Sequence, residues 1–315
     1  MMVWLLAGLG LVILLLAGDA LVKGAVNLSL RVGIPALIVS LTVVAFGTSA
    51  PELLISVNAV LLNKPGLALG NVVGSNTANA LLVLGIPAIL TVLHTSGCDT
   101  RRTYVFMLVA SILFIGLAFL GTFTFWSGLV LLAALALVLM ILARDARNHR
   151  RAERANPAEE VEGADPNMRW WQITVYLVLG LVGLPLGADI LIDNASIIAT
   201  RFGVSDTVIG LTLVALGTSL PELATTVMAA LRRQADVALG NVIGSNMFNL
   251  LGIIGVASLV GPIPVDPEFL TFDLWVMLAA SLVLVPFVFF KVDIGKVWGV
   301  LLTAAYLAYV TIVLI

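Results

Sequence analysis

The sequence predicts an all-α membrane protein with about ten transmembrane helices in two inverted five-helix repeats, and three observations support that prediction. The 315 residues are 61% hydrophobic and only 11% charged, whereas soluble domains carry roughly a quarter charged residues. The mean hydropathy is +1.13, and the apolar runs are far longer than the roughly 10-residue strands of a membrane barrel. A long motif also recurs after 170 residues, as from Glu52 to Glu222.

Ten apolar stretches of spanning length follow one another along the chain. They cover residues 3–29, 37–62, 67–93, 103–120, 122–143, 170–199, 207–231, 237–261, 272–290 and 295–314. The second and third stretches of each half contain Gly, Pro and small polar residues, so we expect these helices to be broken. The predicted organisation is a first repeat over 1–143, a solvated Arg- and Glu-rich linker over 144–169, and a second repeat over 170–315.

Basic residues are concentrated on one predicted side of the membrane. Arg31, Arg232 and the arginines of the linker fall on that side, whereas only Lys64 and Arg201 fall in connections on the other. By the positive-inside rule we expect the linker in the cytoplasm and both termini outside. Because each half has an odd number of helices, the second repeat enters the membrane from the opposite side, so the repeats are inverted.

Two sequence blocks occur in both halves in the same order. The block Gly-Thr-Ser-x-Pro-Glu ends at Glu52 and again at Glu222, and the block Gly-Asn-Val-[Val/Ile]-Gly-Ser-Asn-x-x-Asn ends at Asn79 and Asn249. A carboxylate within the membrane is costly and needs a reason. A purely structural role would have to arise twice beside the same Pro and Thr neighbours, so the pair predicts a cation site between the two repeats.

Oxygen donors surround each glutamate in the sequence. Pro51 has no N–H and crowds the carbonyl of Gly47, so we expect the carbonyls from Ala45 to Gly47 to be freed to face a cation. Thr48 and Glu52 are four residues apart and share a helix face. The second half offers the same set at Ala215 to Gly217, Thr218, Ser219 and Glu222. Such hard oxygen ligands suit Na⁺ and Ca²⁺ rather than soft metals.

The second block adds hydroxyl and amide oxygens on one helix face of each half, at Ser75 with Asn79 and at Ser245 with Asn249. Its glycines are four residues apart, which favours close helix packing. Four further asparagines either bind an ion or form hydrogen bonds between helices, and the sequence leaves both open. They are Asn71, Asn76, Asn241 and Asn246.

A second pair of acidic residues also obeys the repeat, at Asp19 and Asp189 on the first helix of each half. Lys23 lies one turn after Asp19 and can pair with it on the helix face, whereas the second half has Asp193 at that position. We favour a structural or gating role for these residues over direct ion ligation.

The two doubled blocks closely resemble the α-repeats of the cation/calcium antiporter superfamily, and prokaryotic sodium/calcium exchangers in particular, over nearly the whole chain. The resemblance implies four cation positions in a diamond between the second and third helices of each half, with the first and sixth helices sliding as a gate. It implies a central Ca²⁺ site at Glu52, Glu222, Thr48 and Thr218. It implies Na⁺ positions at Ser49, Ser219, Ser75, Ser245 and the carbonyls of Ala45 and Ala215, with Asn79 and Asn249 in the middle.

The function expected from the residues and the resemblance is electrogenic Na⁺/Ca²⁺ antiport by alternating access in a prokaryotic inner membrane. A Ca²⁺/H⁺ antiporter on the same scaffold is the alternative, and a passive cation channel is a more distant one. Some superfamily members carry aspartate where this chain has Asn79 or Asn249, which weakens any interpretation that includes K⁺ cotransport. The site then holds two carboxylates.

Neither an enzyme nor a cofactor is indicated, because the chain has no Ser–His or Ser–Lys dyad in repeat context and no cofactor motif. Cys98 is the only cysteine, which excludes an intrachain disulfide and a thiolate metal cluster. The expected partners are membrane lipid and the transported Na⁺ and Ca²⁺ ions, with no nucleic acid and no obligatory protein partner.

Overall fold

The structure is a computed structural model that describes residues 2–155, 165, 167–203 and 217–314. Within these residues, eight helices are long and apolar enough to cross a membrane, or nine when the bent pair Ala36–Thr48 and Ala50–Leu61 counts as one span. The predicted span 207–231 lies partly outside the described residues, so its helix is seen only as Leu220–Leu231. The architecture is therefore the predicted all-α membrane fold.

The first half contains six helices, of which the second and third form one bent span. They are α1 Met2–Val32, α2 Ala36–Thr48, α3 Ala50–Leu61, α4 Pro65–Leu90, α5 Arg101–Ala118 and α6 Phe125–Ala155. Gly33 ends α1 with a positive φ of 70°, a conformation that glycine adopts without a steric cost. Pro65 begins α4, where its missing N–H is not needed by the helix.

The second half repeats this pattern with five described helices. They are α7 Trp170–Arg201, α8 Leu220–Leu231, α9 Ala235–Val260, α10 Phe269–Phe289 and α11 Lys296–Leu314. The turns before α4 and α9 match in detail, since Asn63 and Arg233 occupy equivalent positions and both have a positive φ, of 57° and 55°.

The predicted helix breaks take two forms. Ser49 separates α2 from α3, and the two axes differ by 44°. In contrast, α4 and α9 continue through their breaks as π-helical turns at Asn79–Val83 and Phe248–Ile253. A π-helical turn inserts one extra residue per turn and is frequent at functional sites. Both breaks therefore fall on the residues that the sequence motifs single out.

The helices form an inner and an outer group. In the apolar 18-residue segments of α4 and α9, 83% of each segment is buried inside the protein. In the corresponding segment of α7 the buried share is only 22%. The long helices α1 and α7 pack against each other at backbone contact, because a Cβ added at Gly10 would lie 2.6 Å from the backbone nitrogen of Leu191. The inner group holds many of the buried polar side chains, among them Asn76 and Asn79 of α4 and Asn246 and Asn249 of α9.

The two ends of the bundle can be named from contacts between α1 and α7. Arg31 lies 5.9 Å from the ring of Trp170, and Asn27 accepts a hydrogen bond of 2.9 Å from the N–H of Asp165 in the linker. We call this end the linker face. At the other end Trp4 and Phe202 make an edge-to-face contact at 6.4 Å, and we call that end the opposite face.

Short backbone pairings tie the halves together at both ends. On the linker face Leu93 and Ile294 form an isolated antiparallel bridge. On the opposite face β1 (Thr122–Phe123) pairs with β2 (Ile263–Pro264). Leu93 and Ile263 are repeat equivalents, so the same pairing occurs once at each end of the bundle. Both pairings help to hold the outer helices around α4 and α9.

Candidate cation site

The two glutamates occupy equivalent places at the start of two half-helices. Glu52 lies in the first turn of α3 and Glu222 in the first turn of α8, each directly after a proline. Both side chains are only 1% exposed. A helix N-terminus carries roughly half a positive charge, so the two half-helices stabilise the carboxylates without a neighbouring lysine or arginine.

An asparagine from the next helix fixes each half-helix in place. Asn71 of α4 donates to Ser56 at 3.0 Å and to the backbone carbonyl of Glu52 at 3.3 Å. Asn241 of α9 makes the same two bonds, to Thr226 at 3.1 Å and to the carbonyl of Glu222 at 3.3 Å. These asparagines hold the backbone of each glutamate rather than its carboxylate.

The two halves meet in a single site. The hydroxyl of Ser49, at the break of the first half, donates to Oε1 of Glu222 at 3.4 Å. The hydroxyl of Thr48 lies 3.4 Å from Oδ1 of Asn241 and 3.3 Å from the carbonyl of Ala45. Residues 173 and 193 positions apart are therefore in contact, as the inverted repeats require.

Four asparagines of α4 and α9 form a symmetric amide cluster. Asn76 donates to the backbone carbonyl of Asn246 at 3.2 Å, and Asn246 donates back to the carbonyl of Asn76 at 3.4 Å. The side chain of Asn79 donates to Oδ1 of Asn246, and that of Asn249 donates to Oδ1 of Asn76, both at 3.0 Å. Oδ1 of Asn79 and Oδ1 of Asn249 accept no hydrogen bond within the described residues and remain available as acceptors.

Buried oxygens without a hydrogen-bond partner gather at this site. Among the described residues they include Oε2 of Glu52 and Glu222, Oδ1 of Asn79 and Asn249, and Oγ of Ser219 and Ser245. Leaving such an atom unpaired costs about 1–3 kcal/mol, so native proteins rarely bury one without a purpose. The described residues contain no group of three His, Cys, Asp and Glu side chains placed to hold a metal ion. The donor set is instead neutral oxygens with two carboxylates, which suits Na⁺ and Ca²⁺.

Comparison with known proteins agrees with this geometry. The model of the sodium/calcium exchanger protein family matches residues 2–144 and 172–315. The chain belongs to this family. Sodium/calcium exchanger MaX1 from Methanosarcina acetivorans is 33% identical, with 96% of each chain covered. Putative antiporter CaxA from Alkalimonas amylolytica is 36% identical over 95% of each chain.

A solved exchanger also shares the fold. The sodium-calcium exchanger NCX_Mj, soaked with Na⁺ and Sr²⁺, superposes with a TM-score of 0.83 at 31% identity, and covers 99% of this chain and 98% of its own. Family and fold together make this protein an integral, multi-pass cation/calcium antiporter. The resemblance inferred from the doubled motifs is thus confirmed.

The site of this exchanger departs from the sequence expectations in one respect. The carbonyl of Ala45 is not free, because it accepts hydrogen bonds from the N–H of Ser49 at 3.0 Å and from Thr48. Gly47 is the carbonyl whose usual helical partner is missing, since Pro51 has no N–H. Ala215 lies outside the described residues, so the equivalent carbonyl is not placed. Ser75 is buried in α4.

The sequence left the role of the four additional asparagines open, and the structure assigns them hydrogen bonds between helices. Asn71 and Asn241 fix the glutamate backbones, whereas Asn76 and Asn246 join the two halves. The signal that could have found this is their position within the repeated block, one helical turn or less from each proposed ligand.

A cavity of about 530 Å³ reaches this layer from the opposite face. At its inner end it is lined by Pro51 and Pro221, each the neighbour of a glutamate, and by Thr218. Farther out it is lined by Leu54 of α3 and Asp193 of α7. The cavity thus lies between α3 and α7, on the side of the glutamates that is nearer the opposite face.

Proposed function

We propose that this chain exchanges Na⁺ for Ca²⁺ by alternating access and that the exchange is electrogenic. One observation supports this most strongly: buried oxygens without partners, contributed by both halves, surround two carboxylates beneath a cavity. A site built by inverted repeats at the middle of the membrane can be presented to either side with the same ligands. The family names Na⁺ and Ca²⁺ as the exchanged ions.

The proposed roles follow the ligand chemistry. Glu52 and Glu222, with Thr48 and Thr218, hold Ca²⁺ at the centre. Na⁺ ions occupy flanking positions at Ser49, Ser219, Ser75, Ser245 and the backbone carbonyls of Ala45 and Ala215, and Oδ1 of Asn79 and Asn249 completes the middle of the diamond. For Ala45 the second lone pair of a carbonyl that already accepts a hydrogen bond would face the ion.

Mutual exclusion of the two ions follows from shared ligands. The glutamates serve either one Ca²⁺ or the Na⁺ ions, because like charges repel strongly at these distances. The empty site with two buried carboxylates resists the switch between faces, since moving uncompensated charge through a drier intermediate is expensive. An obligation to be occupied is what makes the protein an exchanger rather than a leak.

The proposed stoichiometry of three Na⁺ for one Ca²⁺ moves one net charge per cycle. Moving that charge is worth about 2.3 kcal/mol per 100 mV of membrane potential. We further propose that the linker face is cytoplasmic, because the arginines of the linker, Arg31 and Arg232 lie on it. With the inside negative, Na⁺ entry then drives Ca²⁺ out.

The test is ⁴⁵Ca²⁺ uptake into proteoliposomes preloaded with Na⁺, compared with vesicles loaded with K⁺ or choline at the same pH. We expect uptake that needs internal Na⁺ and increases when the interior is made positive. Uptake that ignores Na⁺ and follows an internal acid load would instead establish Ca²⁺/H⁺ antiport, with Glu52 and Glu222 as proton carriers. Uptake that does not saturate would indicate a channel.

A further inference from the structure

An ion pair on the linker face joins α1 to the second half. Asp19 of α1 accepts two hydrogen bonds from the guanidinium of Arg232, which follows α8, at 2.5 and 2.8 Å. Both side chains are about one third exposed, at 31% and 34%. The two parallel bonds fix the relative orientation of both groups as well as their distance.

The helices carrying this ion pair are in direct contact at the same level. A Cβ added at Gly18 would lie 3.0 Å from the carbonyl carbon and oxygen of Ala224 in α8. One turn after Asp19, Lys23 donates to the hydroxyl of Tyr176 at 3.1 Å and lies 4.6 Å from its ring centre. On the linker face α1 is therefore closed onto α8.

The equivalent positions on the opposite face are open. The repeat equivalents of Gly18 and Ala224 are Ala188 and Leu54, and both line the 530 Å³ cavity. The equivalent of Asp19 is Asp189, which also lines the cavity and makes no ion pair with any residue in the described part of the chain. The reason is visible in the sequence, since the position equivalent to Arg232 is Leu62.

We propose that the Asp19–Arg232 ion pair is a one-sided latch, which holds the linker face closed and biases the exchanger toward the state open at the opposite face. The two long helices pack backbone to backbone, because a Cβ at Gly187 of α7 would lie 2.8 Å from the backbone nitrogen of Leu14 of α1. Movement of α7 onto α3 must then carry α1 away from α8 and break the pair. The opposite face has no matching ion pair to offset that loss. The inference rests on alternating access in the proposed function but not on which ion drives it.

Cysteine labelling tests the latch without measuring transport. In a Cys98→Ser background, Leu54→Cys reports the opposite face and Ala224→Cys, its repeat equivalent, reports the linker face. Leu54 is 71% exposed and Ala224 is 7% exposed. Labelling rates with a polar maleimide are measured in detergent solution with saturating Ca²⁺, because the empty site is expected to resist the switch between faces. Both candidate exchange modes bind Ca²⁺, so the result stands whether the protein proves to be driven by Na⁺ or by H⁺.

We expect Asp19→Asn and Arg232→Gln each to raise labelling at Ala224→Cys about fivefold and to lower it at Leu54→Cys, the change that ~1 kcal/mol produces in an equilibrium. The double exchange Asp19→Arg with Arg232→Asp should restore both rates. Leu62→Arg supplies the missing partner for Asp189 and should lower labelling at Leu54→Cys.

The matched control is Asp145→Asn, which breaks the 2.5 Å ion pair between Arg102 and Asp145 of the outer helices α5 and α6. It should leave both rates unchanged. Rates unaffected by Asp19→Asn and Arg232→Gln, in variants that keep the melting temperature of the parent, would overturn the latch. An equal rise after Asp145→Asn would overturn it as well, because the effect would then belong to surface charge in general.

Discussion

Two layers of the molecule differ in how closely their halves match. The layer that holds the glutamates is nearly symmetric, whereas the layer where α1 and α7 contact the other helices is not. Around the glutamates, Asn71 and Asn241 make equivalent bonds whose lengths differ by no more than 0.1 Å. In the layer of α1 and α7, which we call the gate layer, Gly18 contacts Ala224, whereas the repeat equivalents Ala188 and Leu54 border a cavity. This difference is what the proposed alternating access requires, because a site that serves both faces must look alike from each, whereas a gate in any one state is closed on one side only.

The symmetric layer gives the largest expected effect. Glu52→Gln and Glu222→Gln should each reduce Na⁺-dependent ⁴⁵Ca²⁺ exchange by at least ~100-fold, because each removes one of only two charges that balance a divalent ion. The two losses should be similar although the residues belong to different halves. Glu268→Gln, at an exposed glutamate outside the site, is the matched control and should exchange normally.

Unequal losses at the two glutamates would break the comparison. Suppose that Glu52→Gln retained exchange near the parental rate while Glu222→Gln did not. The ion site would then belong to one half, and the symmetry of the surrounding hydrogen bonds would reflect helix packing rather than ion binding. Size-exclusion profiles and melting temperatures of both variants show whether each has folded.

The asparagines that hold the glutamate backbones provide a finer test of the same layer. Asn71→Ala leaves the buried hydroxyl of Ser56 without its partner, and Asn241→Ala does the same to Thr226, so each should cost about 1–3 kcal/mol of stability. Asn241→Ala also removes the Oδ1 that accepts from Thr48 of the other half, so it should weaken the contact between the halves as well. Thermal melting and exchange rates measure both. Variants as stable as the parent would show that these bonds do not hold the glutamate backbones.

The gate layer should respond unequally to equivalent changes. Ala224→Leu places three more carbons where α1 lies against α8, and overpacking of this kind costs about 1–3 kcal/mol. Leu54→Ala, at the repeat-equivalent position, removes atoms from a cavity wall that is 71% exposed and should change stability by less than about 0.5 kcal/mol. Melting temperatures of the two variants decide the point, and equal shifts would mean that the two faces are equally packed.

The helix breaks and the contact between the two halves could be predicted because the residues responsible occur in both halves. The Pro–Glu steps at Glu52 and Glu222 and the asparagines of the second block gave the half-helices and their interface. The state of the gate could not be predicted, because a repeated sequence is compatible with closure on either face. Arg232 and Leu62 differ between the halves, but their significance depends on a distance to Asp19 that spacing alone does not give.

The carbonyl of Ala45 shows a second limit of the sequence. Pro51 removes the N–H that would bond to Gly47, four residues earlier, whereas Ala45 keeps its ordinary helical partner, the N–H of Ser49. The surroundings of Gly47 are not evident from the sequence, since an added Cβ there would lie 2.0 Å from the side chain of Leu181 in the other half. That contact is long-range and has no signature in the local sequence.

The smallest expected effect concerns the two backbone pairings at the ends of the bundle, because only the pairing on the linker face has ionisable side chains beside it. On the linker face His94 Nδ1 lies 2.9 Å from Asp293, whose other oxygen accepts from the N–H of Ser96 at 3.0 Å. The equivalent positions on the opposite face are Pro264 and Phe123, which cannot ionise. Partial burial works to raise the pKa of Asp293, but the Ser96 N–H and His94 more than offset it and hold the pKa below its usual range.

A carboxylate with a lowered pKa adds stability above the unfolded value of about 3.9, and this is lost as the pH falls through the folded pKa. Asp293→Asn should therefore lower the melting temperature at neutral pH by the equivalent of less than about 1 kcal/mol, since the pair is solvent-exposed. The difference from the parent should shrink as the pH is lowered below 4. A difference that grew on acidification would mean that the uncharged acid, and not the carboxylate, supports this pairing.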